Sequence, residues 1–121
     1  MKPLLTLSLA AALALPPSAV LANTTALAPA FGNTVLSTYP DGRTARLWLQ
    51  PDGTYRAQGR RKTFSSGRWT LKGEKICLRQ HKPRSIPFTF CTQIKRGGVG
   101  TTWTDKAVTG ERITVKLVAG R

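Results

Sequence analysis

Beyond residue 33, apolar and polar positions alternate with a period of two, and no stretch sustains a helical period. The segment 44–50 shows this most clearly, with Ala45, Leu47 and Leu49 on one face and Arg46, Trp48 and Gln50 on the other. Two copies of one turn signal bracket it, Pro40-Asp41-Gly42 and Pro51-Asp52-Gly53, in which Pro presets φ and Gly accepts a positive φ. If Pro51-Asp52-Gly53 forms a three-residue hairpin loop, Leu49 falls opposite Tyr55 and Leu47 opposite Ala57. A two-residue Asp-Gly loop would instead set Leu49 against Arg56, so matching of the apolar faces selects the longer loop.

The same test predicts a two-residue Gly73-Glu74 turn, which sets Leu71 opposite Ile76 and Trp69 opposite Leu78. The pattern breaks between Gly59 and Lys62. Phe64 and Trp69 differ in phase, which predicts a bulge at Ser65-Ser66-Gly67. Ile86, Phe88, Phe90 and Ile94 mark a further strand, and Ile113, Val115 and Leu117 a final one. The expected inward residues are Trp69, Leu71, Ile76, Leu78, Phe88 and Phe90, with Arg68, Lys72, Lys75 and Arg79 outward. The fold class is therefore all-β, an antiparallel meander of about seven strands closing into a small barrel or sandwich.

The start of the chain reads differently. Lys2 is followed by a Leu- and Ala-rich run over 4–15, Pro16 and Pro17 end it, and Val20-Leu21-Ala22 offers small residues for a cleavage site. That run is shorter than the roughly 20 apolar residues of a membrane span. Residues 1–22 are thus expected to be a signal peptide, 23–33 a flexible leader and 34–121 a single small β domain in the periplasm or secreted. In such a compartment the two cysteines are expected to form one disulfide. Setting Cys77 opposite Cys91 also brings Leu78 onto Phe90. A redox or metal role finds no C-x-x-C and only one His. Closing this loop contributes roughly 3 kcal/mol by loop entropy.

The unit Asp52-Gly53-Thr54-Tyr55, Gly67-Arg68-Trp69-Thr70, Gly73-Glu74-Lys75-Ile76-Cys77-Leu78 and Cys91 resembles a pattern in small exported bacterial proteins of lipocalin-like type. The resemblance covers about half of the chain after the signal, and it implies a β-barrel fold while leaving the ligand open.

Charge adds the one unusual feature. The formal net charge of +14 falls by one, to +13, when Lys2 is removed with the signal. Between Arg56 and Arg84 stand ten basic residues against one acid, Glu74. Arg60, Arg61 and Lys62 occupy a turn, while Arg68, Lys72, Lys75 and Arg79 alternate outward, so all seven are expected to form one polyanion-binding face. Such a face suits an anionic envelope component, either a lipid headgroup or lipopolysaccharide, or an acidic protein. Nucleic acid is a further polyanion to which nothing in the sequence points specifically.

The remaining chemistry is thin. Lys95-Arg96-Gly97-Gly98-Val99-Gly100-Thr101-Thr102 echoes a phosphate-binding loop, but Thr101 stands where the phosphate-contacting Lys belongs and no helix is expected to follow. His81 sits among cations in a Pro-containing loop and reads as an exposed residue. No catalytic residue, metal site or cofactor is assigned. The expectation is a monomeric, non-enzymatic exported protein binding an anionic partner through its basic face. The rivals are a lipocalin-like carrier of a small apolar ligand and an inhibitor of an envelope enzyme acting through the loop 81–87. A barrel this narrow is expected to fill with its own side chains.

Overall fold

The computed structural model describes residues 27–84 and 88–121; the predicted signal peptide, Ile86 and the side chain of Phe88 lie outside the described residues. Period-two alternation becomes eight strands: β1 (Thr34–Thr38), β2 (Thr44–Leu49), β3 (Thr54–Gln58), β4 (Phe64–Lys72), β5 (Lys75–Lys82), β6 (Phe88–Gln93), β7 (Thr102–Lys106) and β8 (Arg112–Val118). They form one antiparallel sheet in the order β6-β5-β4-β3-β2-β1-β8-β7. Pairing of β1 with β8 curls this meander into a nearly closed barrel, and the seam lies between β6 and β7. Across the seam the Thr92 hydroxyl donates to the Asp105 carboxylate.

The registers follow from matching apolar faces. Leu49 pairs with Tyr55 and Leu47 with Ala57 around the three-residue loop. Leu71 pairs with Ile76 and Trp69 with Leu78 around Gly73-Glu74. Cys77 lies opposite Cys91 and is bonded to it, and Leu78 lies opposite Phe90. The described residues form eight strands rather than about seven: Trp103 marks β7, which its short alternating stretch left unread.

The bulge sits where the phase break predicted it but on the other strand. β4 pairs with β3 without interruption from Phe64 to Arg68. Against β5, Ser66 pairs with Lys82 and Gly67 with Gln80, which leaves His81 as the extra residue. Phe64 is simply an outward residue of β4, half-exposed, with the Arg56 guanidinium 4.5 Å above its ring. The extra residue reverses the phase of β5, so Lys82 points out instead of into the barrel.

The segment expected as a leader is packed from Leu27 onward. Leu27 is 1% exposed, and a short 3₁₀ turn, Ala28–Ala30, closes one end of the barrel. Phe31 packs there with its ring centre 6.1 Å from that of Trp69, whose indole N–H donates to Gln50 O at 2.8 Å. The last residues are tied to the same end: Asn33 Oδ1 accepts from Gly120 N at 2.9 Å, and Thr34 Oγ1 donates to Gly120 O at 2.7 Å.

Gly67 shows how tightly β3, β4 and β5 meet. A Cβ on it would lie 1.9 Å from Arg79 O and 2.9 Å from the Tyr55 ring. Gly67→Ala is therefore expected to lower stability by about 2–4 kcal/mol in urea unfolding. Trp69→Ala should cost about 3–5 kcal/mol. Arg68→Ala, one position away on the outer face, should cost under about 0.5 kcal/mol. Reversal of the last two would show a register slipped by one.

Candidate functional site

Three loops of one design converge at the open end of the barrel: 40–42, 60–62 and 108–110. In each, the residue before the loop bonds both to the residue after it and to the third loop residue, as in Gly59 N–H to Thr63 O at 2.9 Å and Lys62 N–H to Gly59 O at 2.8 Å. The third position needs a positive φ. Gly42 and Gly110 hold it in two loops, but in the third it is Lys62, at φ 69°.

Arg60, expected as part of the basic face, is engaged within the molecule. Its guanidinium meets Glu111 at 2.7 and 3.3 Å, lies 3.5 Å from Asp41 and covers the Tyr39 ring at 4.2 Å. It thus ties the β3–β4 loop to both neighbouring loops. Its hydrogen bond, with one from Thr109, holds the Glu111 carboxyl below the usual carboxylate range, and the same pairing raises the pKa of Arg60. Arg61 and Lys62 are exposed at the loop tip, removed from the remaining four.

Those four do come together. On the outer wall Arg68 lies directly opposite Arg79, and Lys72 directly opposite Lys75. Between the two pairs Thr70 faces Cys77, and the disulfide lies beside it. None of the four makes an ion pair with a described residue. Arg68 reaches over Gly53, where its charge adds to the Thr54 hydrogen bonds that hold Asp52 below its ordinary pKa. Like charges directly opposite on a ladder oppose folding, so this wall is held in place by the rest of the fold.

The interior departs from expectation. A cavity of about 240 Å³ occupies the half of the barrel nearer the open end. Its wall is mostly apolar, with Leu47, Tyr55, Ile76, Leu78, Phe90 and Trp103 contributing. Size explains the space: toward the open end Ser37, Ala45, Ala57, Ser65 and Ala107 leave room beside the larger Gln80 and Ile113, whereas Leu49, Trp69, Leu71 and Leu117 fill the closed end. Asp105 faces inward, but its oxygens already accept from the Thr92 hydroxyl and the Lys106 amide. Burial pushes the Tyr55 hydroxyl above its ordinary pKa. Trp103 Nε1, in the same wall, has no partner among the described residues, at a cost of about 1–3 kcal/mol.

The chain matches no protein-family model, no curated protein and no solved structure. What it can do must be read from these two surfaces. The phosphate-loop echo is the β6–β7 connection, turned by Thr101 N–H to Gly98 O at 3.1 Å and leading into a strand rather than a helix. His81 is exposed at the bulge.

Two measurements test the open end. Lys62→Gly should stabilise the protein by about 1 kcal/mol, since it removes a left-handed side-chain conformation. Glu111 has a folded pKa below its unfolded value near 4.5. Its pairing with Arg60 therefore stabilises the fold at neutral pH and is lost as pH falls through the lowered pKa. Glu111→Gln should accordingly flatten the acid limb of a melting-temperature profile below about pH 4.5 while leaving its slope above pH 6 unchanged.

Proposed function

We propose that the protein is an exported, non-enzymatic carrier that holds a small apolar molecule inside its barrel, in the manner of the lipocalin-like proteins its strand motifs resemble. The observation that carries this reading is the 240 Å³ cavity with its mainly apolar wall. A cavity of about 150 Å³ lined by aliphatic and aromatic side chains already admits benzene. The larger volume here suits a body of one or two rings or a short acyl chain. Ser37, Ser65 and Gln80, on the inner face, supply polar groups that orient such a ligand.

The wall offers little for catalysis. Asp105 has both oxygens engaged, both cysteines are in the disulfide, and His81 is exposed on β5. A disulfide is at home in the oxidising compartment that the N-terminal sequence suggests.

Naphthalene, a neutral two-ring probe, tests the reading. It should alter the emission of the wild-type protein through Trp103, and the effect should not weaken between low salt and 1 M salt, because the probe is neutral. Ala57→Phe places a ring in the cavity and should abolish the response while leaving the melting temperature unchanged or higher. No response in the wild type, or an unaltered one in Ala57→Phe, would overturn the carrier reading.

A further inference from the structure

We infer that the outer wall of β4 and β5 is a docking surface for an anionic lipid bilayer. The inference is independent of what the barrel holds. Outward residues of β4 recur at every second position: Phe64, Ser66, Arg68, Thr70 and Lys72. Arg68 and Lys72 are about 13 Å apart along the strand, and their partners Arg79 and Lys75 lie about 5 Å away on β5. Four cations therefore mark the corners of a rectangle on the outer wall.

Three features favour a bilayer over a soluble polyanion. The first is the filled centre. Between the corners Thr70 faces Cys77 on adjacent paired strands, so the four cations stand on a strand surface. A plane of headgroups needs no cleft. The second is Phe64. This ring is 50% exposed, on the same face as the cations and at one end of the stripe. An exposed ring has no use for phosphates in solution but gains by entering the headgroup–acyl boundary. The third is the setting of that ring. Arg56 lies over it, and the bulge at His81 turns Lys82 out opposite Ser66, so cations flank Phe64 at the edge of a shallow depression. A ring surrounded by bases is the arrangement of an interfacial anchor on anionic lipid. The cross-strand repulsion within the rectangle is relieved when phosphates sit above it.

The opposite wall provides the control. Four steps around the sheet from β4, β8 presents Arg112 and Lys116 outward, both exposed. Binding to phosphatidylcholine vesicles with and without phosphatidylglycerol would be followed by co-sedimentation of the mature protein. Wild type should bind only the anionic vesicles at physiological salt, and binding should weaken as salt rises. Each wall cation contributes about fivefold near an anionic surface, so Arg68→Ser with Arg79→Ser should weaken binding roughly 25-fold. Arg112→Ser with Lys116→Ser should weaken it less than about threefold. Phe64→Ala should cost about five- to tenfold, to the same extent in low and high salt.

The melting temperature of Arg68→Ser with Arg79→Ser should change little, since relief of the repulsive pair offsets the lost attraction of Arg68 for Asp52, so lost binding in that variant is not lost folding. Equal losses from the two walls would mean bulk charge and overturn the inference. So would absence of wild-type binding to anionic vesicles, or binding indifferent to Phe64. Capture of soluble polyphosphate with no capture of vesicles would overturn it in favour of a soluble polyanion. In each of these cases an intact naphthalene response leaves the carrier reading standing.

Discussion

Five register positions between β1 and β8, from Thr34 opposite Val118 to Thr38 opposite Thr114, give this chain an inside. Without them the meander would be an open sheet with one apolar face, and both surfaces described above would lose their meaning. The pairing joins the first and last strands, so it is a contact of long sequence separation and carries a large closure entropy. Local polar bonds offset part of that. Asn33 and Thr34 hold Gly120 from both sides, and the Trp48 indole donates to Thr34 Oγ1 at 2.9 Å, which locks the joint from the neighbouring strand.

Closure is incomplete on the far side, and this accounts for the position of the disulfide. Among the described strands β6 has a hydrogen-bonded neighbour only in β5, and toward β7 it is held by the Thr92–Asp105 bond. A strand with one unpaired edge is the part of a sheet most ready to fray. Cys77–Cys91 ties β6 to β5 covalently at mid-strand, which keeps Phe90 and Thr92 facing inward. The two ends of the barrel are stabilised by different means. Leu27, Leu49, Phe31 and Trp69 close one by packing. The other is held at its rim by Arg60, bonded to Glu111 and stacked on Tyr39. A rim held by side-chain bonds leaves the space behind it empty, as packing does not.

The registers were legible because each strand has one apolar and one polar face, and only one loop length matches them. The 49–55, 71–76 and 77–91 pairings all follow from that test. Three features escaped it for separable reasons. The Arg60-Arg61-Lys62 loop has the geometry of its Gly-containing counterparts but lacks their residues, so its shape was hidden. The role of Arg60 depends on Asp41 and Glu111, distant in sequence and brought near by the fold. The cavity depends on a gradient of size rather than polarity. Ser37, Ala45, Ala57 and Ser65 fall at the same end of successive strands, a pattern visible only once the register has been applied to side-chain volume.

The inner and outer surfaces are built from the same strands, and a single residue of register separates them. On β4, Arg68 and Lys72 face out while Trp69 and Leu71 face in. A slip of one position would bury the cations and expose the indole. The molecule departs from strict alternation at His81, and the departure protects the division, because without the extra residue Lys82 would point into the barrel after Gln80. Gly67 makes the bulge feasible, since the Arg79 carbonyl occupies the space where its side chain would be. A residue inserted in β5, opposite a position in β4 that can carry no side chain, thus keeps Lys82 with the cationic wall and out of the apolar interior.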